Sequence, residues 1–114
     1  MEFIPKKGRT VRWYICGPTV YDKSHLGHAR TYLGLDIIRR LLRDYFKYDV
    51  ILAMNITDIE DKIIKKSNEL GEDFATFARN WEVDYFEDMK ALGVELPDIL
   101  TRVSEYVQEI IDYV

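Results

Sequence analysis

The chain has 114 residues, enough for one domain with a modest hydrophobic core. Its composition, 47% hydrophobic and 32% charged, is typical of a soluble globular protein, and no apolar run reaches the roughly 18 residues that a membrane-spanning helix needs. A net charge of −4 argues against a broad basic surface for nucleic acid. A single cysteine and the lack of an apolar leader predict a reducing, cytoplasmic location.

The first part of the chain is predicted to form a strand and a loop. Pro5 and Gly8 interrupt any regular pattern over residues 1–10, so we expect an extended lead-in there. The nearly continuous apolar run over residues 11–16 is rich in β-formers and predicts a buried strand. A Gly-Pro pair follows this run and is a strong breaker, so residues 17–24 are predicted to be a loop.

Apolar residues at helical spacing then predict a long helix over residues 25–46, with Ser24 as its N-cap. The apolar run over residues 49–56 predicts a second buried strand. A strand, a helix and a strand in this order favour a βαβ unit with parallel strands and a right-handed crossover. The predicted fold class is therefore α/β, with a parallel sheet flanked by helices.

Further helices are predicted along the rest of the chain. Thr57 and Glu60 have the spacing of a capping box and would begin the second helix, which Gly71 ends. Asp73 would open a third helix that stops near Gly93.

A fourth helix is predicted over residues 100–114, after a short connector. It keeps its apolar periodicity to Val114, and no Gly, Pro or basic turn closes it. This pattern predicts that the chain is a truncated piece of a longer protein.

Both histidines of the chain fall in the first turn of the long helix. His25 and His28 are three residues apart, so their imidazoles lie on one side, where unpaired N–H groups and the positive end of the helix dipole point outward. Gly27 lies between them and lets a ligand approach the backbone. These features predict a phosphate-binding cradle at the carboxyl edge of the sheet. The alternative is that the two histidines only cap the helix and bond to loop carbonyls.

Two stretches of the sequence carry a family resemblance. The string HLGH resembles the HIGH signature of class I aminoacyl-tRNA synthetases and related nucleotidyltransferases. The wider string WYICGPTVYDKSHLGHARTYLGLDIIRRLL, followed by MNITDIEDKII, resembles the cysteinyl-tRNA synthetases. The resemblance runs from about Phe3 to the end of the chain.

The resemblance implies both an architecture and an activity. Residues 1–71 would form the first half of a Rossmann-like catalytic domain, and residues 72–114 the helical start of its connecting insertion. Enzymes of this family join cysteine to ATP, with Mg²⁺ accompanying the nucleotide, to form cysteinyl-adenylate and pyrophosphate. They then pass cysteine to the 3′ end of tRNA(Cys). The implied partners are ATP, L-cysteine and tRNA(Cys), with no membrane.

The resemblance also implies roles for individual residues. His25 and His28 would contact the ATP phosphates and stabilise the α-phosphoryl transition state, and Gly27 would let adenosine lie against the start of the helix. The residues that it places around the cysteine and ATP pocket are Gly17, Thr19, Tyr21 and Thr57.

Cys16 would, by the same resemblance, be one of several zinc ligands, and zinc would bind the thiolate of the substrate cysteine. Zinc prefers thiolate, whereas serine offers only a hydroxyl, so such a metal would exclude serine. From the residue alone, the favoured alternative is a small buried side chain at a strand end. The other family ligands, a lysine-bearing loop and most of the tRNA surface are missing from this chain. We therefore expect weak or no zinc binding, and no catalysis, by the chain alone.

Two charged clusters have both a functional and a structural interpretation. Asp58, Glu60 and Asp61 could hold magnesium near ATP, but acidic residues favour helix N-termini, and that interpretation is preferred. Three arginines of the long helix could meet RNA phosphates, but a solvated helix face is preferred, with Asp36 and Asp44 as neighbours. These arginines are Arg39, Arg40 and Arg43.

The third helix carries an aromatic stripe that is predicted to be core or an interface to a missing half of the fold. Its members are Phe74, Phe77, Trp81 and Tyr85. If the stripe is exposed, we expect self-association through it.

Other functions compatible with the phosphate-binding cradle are a cysteine ligase that acts on an amino sugar, a small-molecule nucleotidyltransferase, and a non-catalytic binding module.

Overall fold

The computed structural model describes residues 2–114. Three parallel strands form one sheet in the order β1-β2-β3. They are β1 (Thr10–Thr19), β2 (Asp49–Thr57) and β3 (Ile99–Arg102). The helices are α1 (Leu26–Arg40), α2 (Asp61–Leu70), α3 (Phe74–Ala91) and α4 (Val107–Tyr113). The predicted α/β class and the parallel pairing of the first two strands are confirmed. Met1, part of the predicted lead-in, lies outside the described residues.

Strand β1 continues through the Gly-Pro pair, so the predicted loop over residues 17–24 is wrong for its first three residues. Cys16 pairs with Asn55 and Thr19 with Thr57, which leaves one extra residue in β1 between these two pairs. A Cβ atom on Gly17 would lie 2.2 Å from the Asn55 carbonyl oxygen. The glycine therefore permits a close approach of the two strands instead of ending β1.

The first two helices begin differently from the prediction. The N-cap of α1 is His25 and not Ser24. Past its last residue, α1 continues as one π-helical turn over Leu41–Tyr45, so the predicted helical span is nearly right. The predicted capping box between Thr57 and Glu60 is wrong. Thr57 is the last residue of β2, and Glu60 is the N-cap residue of α2.

The fourth helix of the prediction is the largest error. Its first residues form β3, and a short 3₁₀ turn over Val103–Glu105 separates that strand from α4. Asp98 begins the pairing, because its carboxylate accepts from the Leu52 N–H at 2.7 Å and its own N–H donates to the Leu52 carbonyl at 2.9 Å. The sheet thus takes strands from both sides of residue 71, and the domain boundary there stays a prediction.

The three arginines of the first helix differ in their exposure. Arg39 is 4% exposed, and its guanidinium donates to the Leu96 carbonyl at 2.7 Å and to the Asp98 carboxylate at 3.0 Å. Arg43 pairs with Glu95. These contacts fasten the segment between α3 and β3 to the helix, which places β3 at the edge of the sheet. The predicted solvated face is therefore wrong for Arg39.

The other two arginines of this helix fit the prediction better. The side chains of Arg40 and Arg43 are 43% and 36% exposed, and they pair with Asp36 and Asp44, the predicted neighbours.

The core lies between the sheet and helices α1, α2 and α3. Of the aromatic stripe on α3, Phe77 and Tyr85 are buried in this core, Trp81 packs against it, and Phe74 is 40% exposed. The stripe is therefore mainly core, and self-association through it stays a prediction. None of the helices within residues 2–114 has the length and apolar character to cross a membrane.

Candidate functional site

The two histidines cap helix α1 reciprocally. The Nδ1 atom of His25 accepts from the Gly27 N–H at 3.1 Å, and the Nδ1 atom of His28 accepts from the His25 N–H at 3.2 Å. Their rings stack, with centroids 3.9 Å apart and planes 24° apart. A nitrogen that accepts a hydrogen bond carries no proton, so in the neutral imidazoles both protons lie on Nε2. The capping leaves these two N–H groups as donors for a ligand.

Gly27 is part of this arrangement. A Cβ atom on Gly27 would lie 2.9 Å from Cε1 of His25 and 3.0 Å from its Nδ1 atom. The His25 ring therefore rests on the bare Cα of the glycine, and any side chain there would displace the ring. The H-x-G-H spacing showed that the histidines share one side, but it did not show this contact.

Burial lowers the pKa of His28, and the neighbouring His25 lowers it further by charge repulsion. Both effects favour the neutral form of His28 when no anion is bound. A neutral His28 keeps its Nδ1 atom as the acceptor of the cap and its Nε2–H as a donor. In this neutral form the histidine contributes a hydrogen bond and no full positive charge.

A cavity of about 270 Å³ opens beside the two rings, and it is called the histidine cavity below. Its lining residues are Thr19, Tyr21, Asp22, Lys23, His25, His28 and Lys62. Four of the predicted site residues therefore meet in one place. A larger cavity of about 460 Å³ is lined by residues between Phe3 and Arg12 and contains none of the predicted site residues.

Gly17 and Thr57, two other predicted pocket residues, do not line the histidine cavity. Thr57 pairs with Thr19 across the two strands, and its carbonyl accepts from the Val20 N–H at 3.2 Å. Gly17 lies against Asn55. In the structure both residues shape the strand ends that support the cavity.

Tyr32 contacts both Cys16 and His28. Its hydroxyl donates to the Cys16 carbonyl at 2.9 Å, and its ring lies nearly parallel to that of His28, with centroids 6.5 Å apart. Burial raises the pKa of Tyr32 to about 12, so the phenol stays protonated and remains a donor. The sequence pattern did not single out Tyr32, although it lies one helical turn after His28.

Cys16 is exposed, so the interpretation of a small buried residue is wrong. Within residues 2–114, no three His, Cys, Asp or Glu side chains come together in a way that could hold a metal ion. Cys16 offers a thiol that could serve as one ligand, but a catalytic zinc site takes about three ligands from protein. The described residues therefore do not make up a zinc site by themselves.

The acidic cluster after β2 has structural partners. The carboxylate of Asp58 accepts from the backbone N–H and hydroxyl of Ser104, and the carboxylate of Glu60 accepts from the Lys62 N–H at 3.0 Å. Asp61 is the first residue of α2, where a negative charge interacts favourably with the positive end of the helix dipole. The structural interpretation of these acids is confirmed for Glu60, as an N-cap.

The parallel sheet and the stacked histidines that begin α1 define the N-terminal half of a class I, Rossmann-like catalytic domain. The family described as tRNA synthetases class I (C) catalytic domain matches residues 2–114, and the chain belongs to this family.

The chain is also similar to curated relatives. It is 56% identical over 108 residues to the cytoplasmic cysteine–tRNA ligase of Dictyostelium discoideum. The matched region covers 95% of the chain and 16% of that relative. It is 53% identical over 112 residues to the cysteine–tRNA ligase of Encephalitozoon cuniculi, and the match covers 98% of the chain and 23% of that relative. The cysteine–tRNA ligase of Thermococcus kodakarensis is 52% identical to the chain over 113 residues, and the match covers 99% of the chain and 24% of that relative. The chain thus spans a quarter or less of the length of these relatives.

Proposed function

We propose that the protein to which this chain belongs activates L-cysteine with ATP and transfers it to tRNA(Cys) in the cytoplasm. The family match over residues 2–114 and the names of the relatives support this activity. The observation that carries it is the stacked pair of His25 and His28, whose Nε2–H groups are left for a ligand. As a piece of such an enzyme, the isolated chain is expected to be inactive.

The site residues have different roles in the first step, the activation of cysteine by ATP. His25 and His28 donate hydrogen bonds to phosphate oxygens and stabilise the charge that develops at the α-phosphorus. Thr19 and Tyr21 line the cavity in which ATP, accompanied by Mg²⁺, is held. Gly27 keeps the His25 ring against the backbone, beside the adenosine. Gly17 and Thr57 maintain the strand ends beneath the pocket.

Cys16 is proposed as one ligand of a zinc ion whose other ligands come from a part of the enzyme that this chain does not span. When bound, zinc supplies a thiolate-binding centre that distinguishes cysteine from serine. The exposed Cys16 and the anchoring of its carbonyl by Tyr32 support this role. Zinc binding by the isolated chain is expected to be weak.

Two substitutions separate phosphate binding from helix capping. Asn is a good N-cap residue, and Gln at the third helical position can complete a capping box, so His25→Asn and His28→Gln should keep the cap of α1. Each removes an imidazole Nε2–H donor. In the full-length enzyme we expect each to lower kcat for cysteine-dependent ATP–pyrophosphate exchange by roughly 10²–10³-fold.

Ser24→Ala is the matched control, because Ser24 precedes the cap without being the N-cap residue. It is expected to leave the exchange rate unchanged. An unchanged rate in both histidine variants would mean that the histidines only cap α1 and take no part in the reaction. Absence of exchange by the unsubstituted protein would instead favour a non-catalytic binding module.

A further inference from the structure

We propose that Lys62 is a further phosphate-binding residue, which contacts the polyphosphate of ATP in the histidine cavity. This proposal rests on the proposed function and adds to it a cation that the H-x-G-H pattern does not contain.

Lys62 and the histidines reach the cavity from two different crossovers. Lys62 is the second residue of α2, which follows β2, whereas His25 and His28 begin α1, which follows β1. Strands β1 and β2 are neighbours and parallel, so the helices that follow them start at the same edge of the sheet. This topology places the lysine and the two imidazoles around one cavity.

Tyr21 holds two lysine side chains at the mouth of the cavity. The ammonium groups of Lys62 and Lys66 lie 5.5 Å and 5.1 Å from the centroid of its ring. Cation–π contacts of this kind position an ammonium group without cancelling its charge. Tyr21 therefore keeps Lys62 beside the cavity as a charged donor.

The two lysines differ in their ion pairing. Lys66 pairs with the carboxylate of Asp22 at 2.6 Å, and this contact lowers the pKa of Asp22. Lys62 has no carboxylate oxygen within 4.0 Å anywhere in the described part of the chain. Lys66 thus neutralises the one acidic side chain that lines the cavity, and Lys62 is left to meet an anion.

A polyphosphate needs positive charge as well as hydrogen-bond donors. Burial and the neighbouring His25 lower the pKa of His28, so before an anion binds this residue offers a hydrogen-bond donor more than a fixed positive charge. Lys23 is the other lysine that lines the cavity, but no ring contact holds its ammonium group in the described residues. Of these two lysines, Lys62 is therefore the one placed in advance for a phosphate oxygen.

The test compares Lys62→Met with Lys65→Met in the full-length enzyme. Lys65 is an exposed residue of the same helix that does not line the cavity, so both variants lose one positive charge from α2. We expect Lys62→Met to weaken the binding of ATP and of inorganic tripolyphosphate by roughly 10-fold to 100-fold, the effect of losing one charged hydrogen bond. Lys62→Arg should recover most of the affinity, and Lys65→Met should change it by less than about threefold.

The outcomes separate this proposal from the proposed function. If His25→Asn weakens ATP binding while Lys62→Met behaves like Lys65→Met, the role of Lys62 is overturned and the histidine site stands. If none of these substitutions alters ATP binding, or if the unsubstituted enzyme does not bind ATP, both proposals fail. Equal losses in Lys62→Met and Lys65→Met would show a general effect of charge, and would also overturn the role of Lys62.

Discussion

Gly17→Ala is expected to lower the free energy of unfolding of the chain by about 3 kcal/mol, the upper part of the usual range for overpacking. The added Cβ would lie 2.2 Å from the Asn55 carbonyl oxygen and 2.9 Å from Cγ of Met54. The oxygen belongs to the backbone of the central strand β2, which cannot move aside without breaking its pairing with β1. Urea unfolding of the two chains, followed by circular dichroism, measures the difference.

Gly34→Ala is the control for this substitution. Gly34 lies within α1, and a Cβ atom there would meet no atom within 4 Å outside its own helix and chain neighbours. Alanine in the interior of a helix is more favourable than glycine, so this variant should gain about 0.5–1 kcal/mol. If Gly17→Ala were as stable as Gly34→Ala, the close approach of β1 and β2 at Gly17 would be wrong.

Arg102→Met is expected to cost roughly 3–5 kcal/mol of stability, because it leaves a buried carboxylate without its main partner. Glu82 on α3 is 5% exposed, and its two carboxylate oxygens accept from the Arg102 guanidinium at 2.6 Å and 2.8 Å. This contact raises the pKa of Arg102 and joins α3 to β3. The loss would be measured by urea unfolding, with native-state hydrogen exchange reporting on β3.

Arg79→Met is the control for the second prediction. Arg79 also contacts Glu82, but at 3.4 Å and with a side chain that is 57% exposed, so its loss should cost less than about 1 kcal/mol. Adding Glu82→Gln to Arg102→Met removes the unpaired charge and should restore part of the stability. Equal stability of the two arginine variants would contradict the role given to the Glu82–Arg102 pair.

The parallel α/β architecture could be predicted from the sequence because its first strand, first helix and second strand are long and have distinct periodicities. The strand Ile99–Arg102 could not be predicted in this way. It has four residues, too few to show a period of two, and the apolar residues nearby fit a helix equally well. Pairing with β2 and anchoring by Asp98 decide its conformation, and both depend on residues more than 40 positions away.

The candidate site was predicted in part for a similar reason. The spacing of His25 and His28 follows from helix geometry, so their shared position could be read from the sequence. The contribution of Lys62 depends on a helix that starts after Glu60 and on the ring of Tyr21, which come from separate parts of the chain. The exposure of Cys16 depends on what covers its face of the sheet, and a strand pattern alone does not determine that.

Binding of ATP to the histidine cavity is tested most directly by titrating the chain with ATP while following its backbone amide and imidazole ¹⁵N resonances. We predict that the largest shifts occur at His25, His28 and Lys62, with saturation at the same ATP concentration for all three. Shifts confined to the larger cavity between Phe3 and Arg12, or an absence of shifts at both histidines, would contradict a phosphate-binding role for the histidine cavity.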